Sequence, residues 1–225
     1  MNTLLLRLVA PMQSWGVQSN YSVRDTAKEP SKSGVIGLIC AALGRPRNAP
    51  LDDFAKMRMG VRVDREGIIQ RDYQIAQNVL SCDGKSQKES LTSSRYYLAD
   101  FAFLVGLESE NLILLKDIHY SLGSPMWQLY LGRKAFVPSG SIRLDDGLRE
   151  GETLEQALLS YGWIYLHSPE KTPKTVRTII ETSTGEQIRP DVPVSFAERR
   201  FSSRRIHQSI VPAPQTTAEV AKCFS

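Results

Sequence analysis

The 225 residues suffice for one large domain, or a core domain with an appendage, and 41% hydrophobic with 23% charged residues is the balance of a globular chain that buries a real core. Three scattered cysteines, Cys40, Cys82 and Cys223, form no C-x-x-C pair, which argues against a disulfide framework or a zinc site and points to a reducing compartment. The net charge of +4 admits a polyanionic partner without demanding one, and the start MNTLLLRLVAPM, broken by Arg7, is too short for a signal peptide or a membrane span, so a cytoplasmic protein with no membrane partner is expected.

In chain order, Leu4 to Val9 reads as a buried strand ended by Pro11, and Met12 to Gly16 as a loop. Residues 17–30 are polar. Ser31-Lys32-Ser33-Gly34 then leads into VIGLICAAL, where Val35, Leu38, Ile39, Ala42 and Leu43 share an apolar face at helical spacing. Ser31 or Ser33 supplies the N-cap and Gly44 the stop. A short helix is predicted over Leu51 to Met57, and Gly60 to Asp64 with Ile68 to Gln74 as a hairpin turning at Arg65-Glu66-Gly67. Residues 75–94 hold Gln, Ser, Asn, Lys and Gly with few large apolar groups, an excursion too long for an ordinary connection. Tyr96 to Leu107 resumes as one strand, with Phe101, Phe103 and Val105 in phase. Ser109 to Leu122 fits a helix capped by Ser109, Pro125 to Gly140 is irregular, and a short helix follows from Thr153 to Ser160. Val176 to Thr182 and Glu186 to Arg189 are the last strands, flanking Ser183-Thr184-Gly185, and the tail from Gln215 is polar and loose. Strand, helix, strand pair, strand, helix, strand is a split β-α-β pattern, and it predicts an α+β fold with an antiparallel, ferredoxin-like sheet backed by helices.

The charges are unevenly spread. Residues 1–47 carry six Lys/Arg against two Asp/Glu and residues 189–225 six against three, while residues 98–160 carry five against nine. A fold that joins the ends would therefore have one basic and one acidic face. Catalytic patterns are missing: His119, His167 and His207 stand near no nucleophile elbow, and there is no H-E-x-x-H, P-loop or dinucleotide-binding glycine pattern. His119 falls in a mostly apolar helix, where a partly buried core histidine is the commoner outcome. Asp52-Asp53 and Asp145-Asp146 read as solvated turns or helix caps.

Patterns for an anionic polymer are stronger. Arg199-Arg200-Phe201 and Arg204-Arg205 place four guanidinium groups within seven residues beside an aromatic ring, and arginine both bonds phosphate bidentately and stacks on bases. Tyr130-Leu131-Gly132-Arg133-Lys134 sets two cations after a glycine, which lets backbone amides approach a phosphate. Ser31-Lys32-Ser33-Gly34 at a helix start offers orphan amides to an anion. Each pattern alone is equally a solvated loop or a helix cap.

In order, five segments resemble the CasD family, the Cas-five branch of the repeat-associated mysterious protein (RAMP) superfamily. They are Leu4-Leu5-Leu6-Arg7-Leu8 through Pro11-Met12-Gln13-Ser14-Trp15-Gly16; Arg24-Asp25-Thr26 with Pro30-Ser31-Lys32-Ser33-Gly34-Val35-Ile36-Gly37-Leu38 and Leu43-Gly44; Arg71-Asp72-Tyr73; Arg95-Tyr96-Tyr97-Leu98-Ala99-Asp100; and the Tyr130 to Lys134 stretch. The resemblance implies a single domain over residues 1–225, ferredoxin-like (RRM-like), with helices on one face, a protruding β-hairpin thumb at about 74–94 and an irregular basic C-terminal region at about 190–225. It implies a non-catalytic subunit of a type I-E CRISPR surveillance complex (Cascade), binding the 5′ handle of the guide RNA (crRNA) and touching the neighbouring backbone subunit and the large subunit, in antiviral defence. No cofactor or metal is expected. The RNA-binding residues expected from the motifs and the resemblance are Trp15, Arg24, Lys32, Ser33, Arg71, Tyr73, Arg95, Tyr130, Gly132, Arg133, Lys134, Arg199 and Arg204. One branch of the family cuts precursor guide RNA without metal, using Tyr, Lys and His. Here VIGLICAAL offers no Tyr or His and no Lys-His pair occurs in the chain, so binding without cleavage is the expectation and endoribonuclease the alternative. An RRM-like RNA binder outside CRISPR is the third reading.

Overall fold

Leu4, Leu6 and Leu8 point to one side of β1 (Asn2–Val9), Leu5 and Val9 to the other, and all five are buried. A strand apolar on both sides belongs inside a sheet covered twice. The computed structural model describes residues 1–16, 22–164 and 173–214, and it places β1 in that position. The other long strands are β4 (Arg58–Arg65), β5 (Ile68–Leu80), β6 (Gln87–Ala99), β7 (Ala102–Ser109), β8 (Arg143–Glu150), β9 (Thr175–Glu181), β10 (Gln187–Ser195) and β11 (Arg200–Pro212); β2 (Met12–Gln13) and β3 (Val23–Arg24) are short. Seven form one sheet in the order β10-β11-β9-β4-β7-β1-β8, antiparallel throughout. The remaining four form a second sheet in which β6 pairs with β2, β3 and β5.

The helices cover both sides of the large sheet, not one. On the side of Leu4, Leu6, Leu8, Phe103, Val105 and Leu107 pack α1 (Lys32–Leu43) and α3 (Leu112–Gly123); α4 (Leu154–Ser160) packs on the side of Leu5, Val9 and Leu104. The reason lies in β1 and β7, whose two apolar faces both need cover. Ser31 caps α1 through its hydroxyl, which accepts from the Gly34 amide, and Gly44 ends it in the left-handed conformation. A four-residue helix, α2 (Asp52–Ala55), opens on the Asp52-Asp53 pair.

Several expected elements take different places. Residues 60–64 and 68–74 are strands but not a hairpin: β4 is buried along most of its length and lies between β7 and β9, whereas β5 is exposed almost throughout and pairs with β6. The expected single strand 96–107 is two, because Asp100 turns the backbone at φ 62° and sends β6 and β7 into different sheets. Asn111, not Ser109, caps α3, accepting from the Leu114 amide. Asp145 and Asp146 lie on β8, the edge strand, and are not turn residues. The excursion at 75–94 belongs to a β5–β6 hairpin that runs from Ile68 to Ala99. The region after Pro190 is not irregular up to residue 212: β11 spans 13 residues and pairs with both β9 and β10. His167, Cys223 and the tail from Gln215 lie outside the described residues. Among those described, no helix is long and apolar enough to cross a membrane.

Two buried ionic knots fasten this arrangement. The Arg62 guanidinium and Asp64 carboxylate, both fully buried, bond each other; Arg62 also donates to the carbonyls of Leu158, Tyr161 and Gly162, closing the end of α4, and Asp64 accepts from the Ile164 amide. On the opposite side, Lys32 Nζ donates to Glu181 at 3.0 Å and to the carbonyls of Ala55 and Met57. Asp191 accepts Arg204 through both carboxylate oxygens, at 2.7 and 2.9 Å, and the Lys32 amide at 2.8 Å. Removing one partner of a buried pair strands the other charge, at about 3–5 kcal/mol. Asp191→Ala is therefore expected to lose about that much stability in urea unfolding. Lys116→Ala, which breaks an exposed pair with Glu150, is expected to lose less than about 1 kcal/mol.

Candidate nucleic-acid interface

The base of the β5–β6 hairpin gathers charge by register. Asp72 stands opposite Arg95 and Gln70 opposite Tyr97, while β3 runs parallel to β6 with Arg24 beside Arg95. Because successive side chains alternate, Gln70, Asp72, Gln74, Arg95 and Tyr97 share one face and Arg71, Tyr73, Ile75 and Tyr96 the other.

The first face is met by the loop after α3. The rings of Tyr97 and Phe136 lie 6.0 Å apart, and the Arg133 guanidinium sits 5.3 Å from the Phe136 centroid while donating to the Tyr96 carbonyl at 2.7 Å. The loop is pinned from both ends. Leu131 is fully buried; its carbonyl accepts from the Ser14 amide, its amide donates to the Phe136 carbonyl, and the Phe136 amide returns to Arg133. Gly132 has φ 95°, and a Cβ there would fall 1.7 Å from the Ser14 carbonyl oxygen. Glycine is thus required for the loop to lie against residues 13–16, rather than to expose an amide to a phosphate.

Three arginines are thus brought to the hairpin base, Arg24 beside Arg95 in register and Arg133 on the Tyr96 carbonyl. Burial, followed by the fields of Arg95 and Arg24, pushes the Arg133 guanidinium below its ordinary value, and Asp72 opposes the shift. Among the described residues neither Arg24 nor Arg95 forms an ion pair, and Arg95 Nε is buried with no acceptor. The surface ion pair between Arg95 and Asp72 that their register allows is not formed; Asp72 instead accepts from Gln74 Nε2 at 2.6 Å. A buried donor left unmade costs about 1–3 kcal/mol, and like charges held together raise the local positive potential. Among the described residues no group of three or more His, Cys, Asp or Glu could hold a metal ion.

Of the expected site residues, Arg24, Arg95 and Arg133 converge, with half-buried Tyr130 and exposed Lys134 on the same loop. Arg71 and Tyr73 are exposed on the other face of the hairpin. Arg199 sits at the β10–β11 turn, on the edge of the large sheet. Three others lie inside the protein. Trp15 is 2% exposed, its ring stacked where a Gly34 side chain would be, at 2.8 Å, and its Nε1 donating to Gln13. Lys32 and Arg204 are consumed by Glu181 and Asp191. The phosphate seat expected at the start of α1 is already filled, since Asp191 accepts the Lys32 amide and Ser31 the Gly34 amide; Ser33 Oγ turns toward Ser31. These residues shape the fold and leave the surface to the hairpin base. Asp72, Gln74, Tyr97 and Phe136 belong to the cluster without having been singled out for RNA. Alternation from Arg95 marks Tyr97, whereas no local pattern marks Phe136 in an irregular stretch.

Comparison with known proteins agrees along nearly the whole chain. A family model described as CRISPR-associated protein (Cas5) matches residues 3–211. The chain is 27% identical over 222 residues to the CRISPR system Cascade subunit CasD of Escherichia coli strain K12, covering 89% of this chain and 92% of that protein. A solved structure described as a crystal structure of a Cas protein superposes with TM-score 0.77 at 40% identity, covering 95% of this chain and 98% of the other. A chain of a CRISPR RNA-guided surveillance complex gives 0.78 at 30% identity, over 98% and 96%.

Placing a side chain at Gly132 tests whether the loop is held as described. Gly132→Ala is expected to cost at least about 1–3 kcal/mol in urea unfolding, the range for a strained left-handed position, before the clash with Ser14 is added.

Proposed function

This chain belongs to the Cas5 family of CRISPR-associated proteins, and from that premise we propose that it is a non-catalytic, RNA-gripping subunit of a Cascade surveillance complex. The ligand is the 5′ handle of the guide RNA, held at the hairpin base by Arg24, Arg95 and Arg133, with Lys134 on the flank. The observation that carries the reading is Arg95: a cation brought beside two others, with its Nε buried and unpaired. A phosphate placed among the three cations relieves their mutual repulsion.

The rest of the fold supports this role. The order β4-β7-β1-β8 with α1 and α3 as crossovers is that of a split β-α-β, ferredoxin-like unit. β9, β11 and β10 widen it. The hairpin from Ile68 to Ala99 is the thumb, and its exposed Ile69, Tyr73, Ile75 and Leu80 suit contact with neighbouring subunits of the complex at the capped end of its filament. The protein would work in the cytoplasm, where guide RNA is held. Of the two histidines among the described residues, His119 Nε2 bonds the Leu144 carbonyl and His207 lies on β11.

Arg95→Ala is expected to leave unfolding stability within about 1 kcal/mol of the parent and to weaken guide-RNA binding by about 1–2 kcal/mol, measured by fluorescence anisotropy. Joint replacement of Arg133 and Lys134 by Ala is expected to flatten the salt dependence by about 0.7 per lost phosphate contact; an unchanged slope means that both only face solvent. Repeat RNA incubated with the protein in a chelator is expected to stay intact. Specific cutting would establish the endoribonuclease instead.

A further inference from the structure

A carboxylate inside a phosphate-binding cluster needs a reason. Asp72 lies directly across from Arg95 and acts on Arg133, so it weakens the field that attracts RNA, yet it forms no ion pair with either. It is half-buried, and its side chain is held by Gln74, whose Nε2 donates to Asp72 Oδ2 at 2.6 Å. That bond fixes the amide orientation, since a carboxylate only accepts and would repel the amide oxygen. Gln74 Oε1 and Asp72 Oδ1 are left as two acceptors on the face shared with Arg95.

We propose that Asp72 and Gln74 read a base of the gripped RNA and select guanine. Guanine alone presents two adjacent donors, N1–H and N2–H, on its Watson–Crick edge. Adenine and cytosine present one donor beside an acceptor, and uracil one donor between two acceptors. Single-stranded RNA exposes these edges to side chains, and the flanking phosphates lie within reach of Arg95 and Arg133. Asp72 thus gives up non-specific attraction for selectivity. The inference rests on the reading of this cluster as an RNA grip.

The test uses uridine octamers carrying one central guanosine, inosine or adenosine, bound to the full chain and followed by fluorescence anisotropy. Inosine keeps N1–H and lacks the 2-amino group. The parent is expected to bind the guanosine octamer at least about fivefold more tightly than either other, the low end for a bidentate base contact. Asp72→Ala is expected to bind all three alike, and no more weakly than the parent binds the adenosine octamer, because a repelling charge is gone. A purely structural role for Asp72 would weaken all three together. Should Asp72→Ala fail to fold, Gln74→Ala, at an exposed position, is expected to lose the preference as well. Equal binding of the three octamers by the parent, or a preference that survives either substitution, overturns the inference and leaves the RNA grip standing. Failure of the parent to bind any octamer overturns both.

Discussion

The Asp191 carboxylate ties one end of the chain to the other. One oxygen accepts from the Lys32 amide at the start of α1, 159 residues away, and both accept from Arg204 on β11. A buried pair of this kind adds little net stability, because desolvation offsets attraction. What it does is choose an arrangement, reinforced by Glu181, which pairs with both Lys32 in the first turn of α1 and Arg204. With that turn fixed, Gly34 gives Trp15 its slot; Trp15 then holds residues 13–16, with its amide on Thr26 and Ala27 donating to its carbonyl. Ser14 in turn binds Leu131, and the next residues carry Arg133 to the hairpin base. The candidate site is thus the last link in a run of contacts that starts at the opposite side of α1.

Arginine serves two purposes here, and the placement of acceptors decides which. Arg62 is buried with Asp64 and three backbone carbonyls, and Arg204 with Asp191 and Glu181. Both tie elements together. Arg24, Arg95 and Arg133 come from three separate segments, and Asp72, which acts on Arg133, is engaged by an amide instead. Folding sets them close together, and the fields of Arg95 and Arg24 lower the Arg133 guanidinium from its ordinary value.

How far the sequence discloses this varies by element. β1, α1 and its caps, α4 and β9 are legible because periodicity and capping chemistry are local. β4 and β5 are legible as strands but not as members of different sheets, since pairing is decided by burial over distance: β4 takes the core position that its Val61 and Val63 demand. β11 is hidden because its arginines read as an RNA contact or a solvated loop. In fact Arg204 and Ile206 point inward, and Asp191 is the partner that makes an inward arginine tolerable. Lys32 misleads in the same way, because its acceptors, Glu181 and two carbonyls, lie on elements that no local pattern connects to it. Arg24 and Arg95 are named from the family pattern and Arg133 also from the two cations after a glycine, not from charge density, which is higher at 199–205.

The most direct test is a photocross-link from RNA to protein in the assembled complex. A guide RNA carrying 4-thiouridine within its 5′ segment is irradiated, and the linked peptides of this chain are identified by mass spectrometry. The account predicts links to peptides that contain Tyr97 or the Tyr130 to Phe136 loop. Links confined to Arg199 to Arg205, or none to this chain, would contradict it.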